Sequence, residues 1–181
     1  MALILPAVFA ASLHACVPFD YSWRFQMAPK GDAAPGGCAK DTNDSSWALV
    51  DLPRDYLVAL PVDEKENGSG GYFPRRNATY RKHFVLPEAW QGDRIFLHFE
   101  GVYKVAHVFI NGESVNYAHA DSSHAYTGFD VRLDTESFSY GMSQPNIIAI
   151  AVDGSYGTEH WYAGAGIYRS VHLIHTAQIH L

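Results

Sequence analysis

The chain has 181 residues, of which 48% are hydrophobic, 14% aromatic and 18% charged. This length and composition predict one soluble globular domain and exclude a disordered chain or a fibrous repeat. The formal net charge is −6, and the basic residues are scattered along the sequence. We therefore expect neither nucleic acid nor a membrane surface as a partner, because both are bound through clustered positive charge.

The first feature along the chain is an apolar segment, residues 1–15, which has the length of a secretory signal peptide. Leu13-His14-Ala15 offers a small-residue cleavage site before Cys16, and the segment is too short to span a bilayer. No Lys or Arg precedes the apolar run, which differs from the usual signal peptide. Secretion, with residues 16–181 as the mature domain, is the favoured expectation. A buried N-terminal segment of a cytoplasmic protein is the alternative.

Two polar stretches, residues 28–46 and 63–71, are rich in Gly, Pro, Asp, Ser and Asn and predict surface loops. Three Asn-x-Ser/Thr triplets make Asn43, Asn67 and Asn77 candidate glycosylation sites of a secreted protein. The two cysteines, Cys16 and Cys38, form one disulfide if the chain enters an oxidising compartment and are free thiols otherwise.

Six apolar segments of strand length occupy residues 79–86, 94–99, 105–110, 129–133, 146–152 and 167–174. Ile95, Leu97 and Phe99 alternate with Phe96 and His98, a pattern that predicts a strand with one face in the core. Asn111-Gly112 between two apolar runs predicts a tight hairpin, because both positions tolerate positive φ. Since no helical segment separates these strands, the sequence predicts an all-β, antiparallel sandwich.

Residues 153–169, DGSYGTEHWYAGAGIYR, combine aromatic rings, glycines and carboxylates. A sugar has an apolar C–H face and a fringe of hydroxyls, so rings and carboxylates together suit a saccharide. The candidate carbohydrate-binding residues are Asp153, Tyr156, His160 and Trp161. The alternative roles are structural: a turn closed by Asp153, packing by Trp161 and Tyr162, special backbone geometry at Gly164 and Gly166, and an ion pair from Arg169 to a carboxylate that pins the loop.

Seven short motifs follow one another: WALVDLPRDY from Trp47, TYRKHF from Thr79, FEGV from Phe99, VFING from Val108, YTGFDV from Tyr126, NIIAI from Asn146 and WYAGAGIYR from Trp161. From Phe19 to the C-terminus, this series resembles the N-terminal sugar-binding domain of glycoside hydrolase family 2, the beta-galactosidase and beta-glucuronidase family. Each motif alone is weak, whereas seven in this order are specific. The chain departs from the family at Arg54 and Tyr56, where His and Trp are usual, and at His160, where Arg is usual.

The resemblance implies a jelly-roll sandwich that the family places before an immunoglobulin-like domain and a TIM barrel carrying both catalytic glutamates. It also implies that an aspartate in the position of Asp153 reaches the sugar held by the barrel. Retaining hydrolysis needs two carboxyl groups about 5 Å apart, and no segment here matches the family's catalytic segments. We therefore expect no catalytic residue and no cofactor in this chain.

The expected partners are a galactoside-like carbohydrate and the immunoglobulin-like and TIM-barrel domains of a parent glycosidase. Two alternatives remain at this point. One is a freestanding lectin-like module whose groove is complete within a single domain. The other is a truncated product that folds but binds nothing, and that would expose an apolar patch on its C-terminal side.

Ten histidines raise the question of a metal site. His172 and His175 lie three residues apart in a predicted strand, so they point to opposite faces and do not share a metal. His119, Asp121 and His124 would need a loop that folds back on itself. Glu100 and Glu159 are a formal acid–base pair, but Glu100 belongs to the FEGV motif, for which a structural role is favoured. We expect no metal.

Overall fold

The computed structural model describes residues 14–119, 126–133, 137–142, 145–155 and 161–177. Regular structure in these residues consists of strands and of short 3-10 turns at Leu57–Ala59, Gly68–Gly70 and Glu88–Trp90. The strands are β1 (His14–Pro18), β2 (Trp23–Met27), β3 (Ala48–Val50), β4 (Ala78–Phe84), β5 (Arg94–Phe99), β6 (Val105–Ile110), β7 (Glu113–His119), β8 (Phe129–Leu133), β9 (Asn146–Asp153) and β10 (Val171–Thr176). In the described ranges, no helix is both long and apolar enough to cross a bilayer.

The strands form two sheets, and all pairings between strands are antiparallel. The four-stranded sheet has the order β1-β10-β5-β8, and the six-stranded sheet has the order β3-β2-β4-β9-β6-β7. Their inner faces bury one continuous apolar core, in which Phe19 packs edge-on against Trp23 and Phe84. The predicted all-β, antiparallel jelly-roll sandwich is therefore confirmed.

All six predicted strands are present, and β5, β6 and β8 have the predicted bounds. The alternation in β5 is confirmed, because Ile95, Leu97 and Phe99 are fully buried. The hairpin is also confirmed: Asn111 and Gly112 have φ values of 50° and 95° between β6 and β7. Strands β1, β2 and β3 were not predicted.

The last strand begins later than predicted, at Val171 instead of residue 167. The residues just before it pair elsewhere: the backbone of Gly166 exchanges two hydrogen bonds with Tyr103, and the Ile167 carbonyl accepts from the Arg54 N–H at 2.7 Å. Residues 161–169 are therefore a connection whose hydrogen bonds reach two other parts of the chain.

The predicted loop at residues 28–46 lies on the outer face of β4 and is fixed by one fully buried arginine. Arg81 Nε donates to Asp44 Oδ2 at 2.9 Å, and the guanidinium also donates to the carbonyls of Gly37 and Ala39. The hydroxyl of Thr79, two residues earlier on β4, donates to the Pro35 carbonyl at 2.7 Å. A buried guanidinium needs this many acceptors, because each unpaired N–H would lose its water without replacement.

Strand β4 also carries a lysine on its core face. Lys82 is the antiparallel partner of the core residue Ile148, and its ammonium lies 4.5 Å from the ring centroid of Phe19. The ammonium donates to the carbonyl of Tyr21. Burial lowers the pKa of Lys82 to about 8, and the charges of Asp20 and Asp51 only partly oppose this shift.

The disulfide between Cys16 and Cys38 is not formed, and both thiols are free. Cys16 is exposed between the core residues Ala15 and Val17, so it faces outward from the four-stranded sheet. Cys38 belongs to the loop on the outer face of the six-stranded sheet, where burial raises the pKa of its thiol. The two cysteines therefore lie on opposite outer faces of the sandwich, too far apart for a bridge.

The predicted signal peptide falls mainly on residues 1–13, which lie outside the described ranges. The last two residues of that segment, His14 and Ala15, are the first two residues of β1 and pair with Thr176 and His175. Cleavage before Cys16 would shorten β1 by these two residues.

Candidate functional site

Three segments that are distant in sequence meet around Tyr103, in the connection from β5 to β6. Tyr103 N donates to Gly166 O at 2.9 Å, and Gly166 N donates to Tyr103 O at 2.7 Å. The ring of Tyr126 lies 5.8 Å from the buried ring of Tyr103. Asp153, at the end of β9, pairs with Val105, two residues after Tyr103. This arrangement brings the aromatic segment, residues 161–169, close to the start of β6 and the end of β9.

Asp55 fixes the first half of the aromatic segment. Its Oδ2 accepts from the Tyr162 hydroxyl at 2.6 Å, and its Oδ1 accepts from the N–H groups of Leu57 and Ala165. The Tyr162 ring also packs against Phe73, with ring centroids 4.8 Å apart. The packing role is therefore confirmed for Tyr162, and Asp55 is the residue that holds it.

Glycine is required twice in this segment, as the sequence predicted. Gly164 has φ +73°, and a Cβ there would lie 2.6 Å from Asp55 Oδ2. Gly166 has φ +117°, and a Cβ there would lie 2.6 Å from the Arg54 carbonyl and 2.7 Å from the Tyr80 hydroxyl. Both the left-handed backbone and the absence of space exclude a larger residue. The segment is thus packed tightly against the chain beneath it.

The tyrosine hydroxyls of Tyr56, beneath this segment, and of Tyr162, within it, remain protonated donors. Burial raises the pKa of Tyr56 well above its ordinary value, and its hydroxyl donates to the Arg76 carbonyl at 2.7 Å. Burial, the hydrogen bond to Asp55 and the charge of that carboxylate all raise the pKa of Tyr162. These hydroxyls therefore serve as fixed hydrogen-bond donors and not as acids or bases near neutral pH.

Asp153 closes its own turn with one carboxylate oxygen. Oδ1 accepts from the Ser155 N–H at 2.9 Å and from the Ser155 hydroxyl at 2.5 Å. This is the local turn role anticipated for an aspartate before glycine. Both interactions use the same oxygen, and the side chain is half-buried, so the turn orients the carboxylate at the surface.

The packing alternative is wrong for Trp161, which is 58% exposed. Its indole Nε1 donates to the hydroxyl of Tyr126 at 3.3 Å, and Tyr126 is itself 46% exposed. Two exposed rings therefore adjoin at the surface. The other two predicted carbohydrate-binding residues, Tyr156 and His160, lie outside the described ranges.

Arg169 does not pin the loop through a carboxylate of the described residues. Its Nη1 donates instead to the backbone carbonyls of Glu100 and Tyr126, at 3.4 and 3.3 Å. The Glu100 carboxylate lies 3.1 Å from His172 Nε2, which agrees with a structural role at the end of β5. Glu159, the other member of the formal acid–base pair, lies outside the described ranges.

In the described part of the chain, no group of three or more His, Cys, Asp or Glu side chains could hold a metal ion. His172 and His175 do lie on opposite faces of β10. His172 is half-buried beside Glu100, whereas His175 is buried, stacks on Trp90 and lies 2.8 Å from Asp93. Asp121 and His124 lie outside the described ranges, as does the side chain of His119.

The three candidate glycosylation sites differ in their surroundings. Asn43 and Asn67 are exposed in loops. The amide of Asn77 is occupied: Nδ2 donates to Asp32 O at 2.8 Å, and Oδ1 accepts from the N–H groups of Gly154 and Ser155. The third residue of its triplet, Thr79, is fully buried. In the folded domain, Asn77 therefore links the polar loop to the Asp153 turn.

The fold and this loop cluster define an antiparallel β-sandwich domain with a candidate binding surface in its loops, and comparison with known proteins gives the family. Residues 19–177 match the family model described as glycosyl hydrolases family 2, sugar binding domain. The chain belongs to this family and is its sugar-binding domain.

Relatives with known names support the assignment. The chain is 34% identical over 167 residues to beta-galactosidase BoGH2A of Bacteroides ovatus, covering 90% of this chain and 18% of that protein. It is 29% identical over 193 residues to a beta-glucuronidase of Formosa agariphila, covering 96% of this chain and 18% of that protein. The crystal structure of a beta-glycosidase from Bacteroides vulgatus superposes with a TM-score of 0.76 at 32% identity, over 88% of this chain and 20% of that one. The chain thus spans about a fifth of the length of these relatives.

Two residues of the site were named in the sequence only as parts of longer motifs. Asp55 stands in the WALVDLPRDY motif, and Tyr126 opens the YTGFDV motif. A carboxylate two residues after a proline, before a buried aromatic, is a local signal for a turn anchor. No local signal marks Tyr126, because its exposure depends on Tyr103, Trp161 and Arg169 from other segments.

Proposed function

We propose that this domain forms one wall of a glycoside-binding cleft, with Asp153 and the exposed rings of Trp161 and Tyr126 facing the sugar. The other wall and the catalytic glutamates would come from further domains of a parent beta-galactosidase-like or beta-glucuronidase-like enzyme. The observations that carry the proposal are the pair of exposed rings and the oriented Asp153 carboxylate, whose strand end pairs with the residue two positions after Tyr103. Apolar ring faces suit sugar C–H groups, and a carboxylate accepts from sugar hydroxyls.

The role in a larger enzyme is supported by the share of the relatives that this domain matches. About four fifths of each of these relatives lies outside the matched part. The chain itself carries no segment like the family's catalytic ones. We therefore expect binding without hydrolysis from this chain, and hydrolysis of O-glycosyl bonds from the enzyme that includes it. A route through the secretory pathway, predicted from residues 1–15, remains part of this proposal.

Calorimetric titration of the chain with methyl β-galactoside and methyl β-glucuronide tests the proposal. Asp153→Ala should weaken binding by about tenfold, the loss typical of a charge-assisted hydrogen bond. Asp41→Ala, which removes an exposed carboxylate in the polar loop, is the matched control and should leave affinity unchanged. Equal affinities of wild type and Asp153→Ala would contradict a role for Asp153 in sugar binding.

A freestanding lectin-like module is the second candidate, and one observation favours it. The two exposed rings and the residues that hold them, Tyr103, Asp55 and Arg169, all belong to this chain. A lectin would bind its saccharide as tightly alone as in any larger protein. If the affinity for the saccharide rises at least about tenfold when the remaining domains are present, the domain is one wall of a cleft and not a freestanding lectin.

A further inference from the structure

The strongest unexplained feature of the surface is the contact between Trp161 and Tyr126. Both rings are largely exposed, at 58% and 46%, although they come from segments separated by residues 127–160. Their only described mutual contact is polar: indole Nε1 donates to the tyrosine hydroxyl at 3.3 Å. The rings thus meet through their polar edges, and this contact leaves ring faces to the solvent.

The exposed rings are held in place by neighbouring residues of the domain. Tyr126 packs against the buried ring of Tyr103 and, at 6.5 Å, against the ring of Tyr168. Its carbonyl accepts from Arg169, whose guanidinium lies 5.3 Å from the Tyr168 ring centroid. Trp161 directly precedes Tyr162, which Asp55 fixes. A surface held in this way loses little further entropy when it binds a ligand.

The number of exposed rings in this surface indicates how many sugar units a ligand should have. A pyranose is similar in size to one six-membered aromatic ring, so a monosaccharide can cover only one of the two rings. A second ring face, adjoining the first, is matched by a second sugar unit linked to the first. A neutral sugar unit fits because its C–H face is apolar and its hydroxyls can accept from the tyrosine hydroxyl at the rim.

We propose that Trp161 and Tyr126 form a two-ring platform that holds two linked sugar units, one against each ring, so that the ligand class is a di- or oligosaccharide. This inference rests on the proposed function, because it extends the same sugar-binding surface beyond the terminal sugar. In this arrangement one ring and Asp153 contact the terminal unit, and the other ring contacts the unit attached to it.

The test compares methyl β-galactoside, lactose and β-1,4-galactotetraose as ligands of the chain, with affinities measured by calorimetry. Lactose and the tetraose should bind about fivefold more tightly than methyl β-galactoside, since their second unit gains one further ring contact, which contributes roughly 1 kcal/mol. Of the variants Trp161→Ala and Tyr126→Ala, the one that removes the ring of the second unit should abolish this advantage, and the other should weaken the binding of both ligands by the same factor. Tyr21→Ala, which truncates a similarly exposed ring in the β1–β2 turn, is the matched control and should change nothing.

The outcomes separate this inference from the proposed function. If methyl β-galactoside and lactose bind equally well, or if neither variant abolishes the advantage of lactose, the platform does not serve a second unit and only this inference fails. If no saccharide binds, the proposed function fails as well. If the Trp161→Ala domain does not fold, judged by circular dichroism, Trp161→Gln replaces it and the same comparison decides.

Discussion

Two loops of this domain contradict the usual relation between composition and exposure. The loop of residues 28–46 is polar and glycine-rich, yet the buried Arg81 ties it to the sheet through Asp44 and several backbone carbonyls. The segment of residues 161–169 is aromatic, yet it leaves Trp161 exposed. The polar loop is structural, and the aromatic one is the candidate site.

The two loops differ in the kind of group that remains exposed once their polar groups are paired. In the polar loop, the buried charges are paired with each other: burial alone would raise the pKa of Asp44, but hydrogen bonds from Arg81 and His83 and their charges lower it. In the aromatic segment, Asp55 and the backbone satisfy the polar groups, and ring surface remains exposed. An exposed aromatic pair on a fixed backbone is a feature of a binding surface and not of a loop that only connects two strands.

The largest expected effect comes from removing the buried arginine that holds the polar loop. Arg81→Met should lower the free energy of unfolding by about 4 kcal/mol, because it leaves Asp44 and several carbonyls buried without their donor. Urea denaturation measures this loss. Arg132→Met, at an exposed position of β8, is the control and should cost less than about 0.5 kcal/mol. A similar small cost at Arg81 would mean that the loop is held by other contacts.

The next effect concerns the aromatic segment. Gly166→Ala should lower the free energy of unfolding by about 3 kcal/mol, because φ is +117° and the new methyl group would overlap the Arg54 carbonyl and the Tyr80 hydroxyl. Gly36→Ala is the matched control, since no atom lies within 4 Å of its Cβ position. Thermal unfolding of both variants gives the comparison. Equal stabilities would show that the segment can relax away from the chain beneath it.

The next prediction concerns Lys82, which neighbours Arg81 on β4 but faces the core and not the polar loop. Its folded pKa of about 8 lies below the ordinary value of 10.5. Between these two values the unfolded chain binds more protons than the folded domain, so stability rises with pH. We expect a rise of about 2 kcal/mol from pH 8 to pH 10 at this residue. Urea denaturation across this range should show that Lys82→Met removes the rise; an unchanged pH profile in the variant would contradict it.

The smallest effect concerns the anchor of the aromatic segment. Asp55→Asn keeps the shape of the side chain but loses one acceptor oxygen, and it should cost about 1.5 kcal/mol of stability. Because Tyr162 follows Trp161, the fluorescence emission of the tryptophan should also shift toward that of a free indole in water. Asp41→Asn, at an exposed position of the polar loop, serves as the comparison. A loss of stability without a change in emission would show that Asp55 does not determine the position of Trp161.

Much of the fold could be predicted from the sequence because the signals are local. Alternation along β5 and Asn111-Gly112 in the β6–β7 hairpin each specify a geometry within a few residues. The three-residue strand β3 could not be predicted, because Ala48 and Leu49 are both exposed and show no alternation. The structural role of Arg81 could not be predicted either, because a charged residue in a strand indicates a solvent-facing position unless the loop that covers it is known.

The candidate site was predictable in part for the same reason. The glycines of the aromatic segment and the Asp153 turn follow from local backbone chemistry. The exposure of Trp161 does not, because it depends on Tyr126 and on the anchoring of Tyr162 by Asp55, a residue more than 100 positions earlier. Sequence motifs located the segment, whereas the structure distinguished the packed tyrosine from the exposed tryptophan.

The most direct test of the contrast between the two loops is an NMR titration of the ¹⁵N-labelled chain with lactose. The account predicts that the shifts concentrate on the Trp161 indole N–H, on Tyr126 and on the backbone after Asp153, while residues 28–46 keep their resonance positions. Shifts centred on residues 28–46, or an unmoved Trp161 indole at saturating sugar, would contradict it.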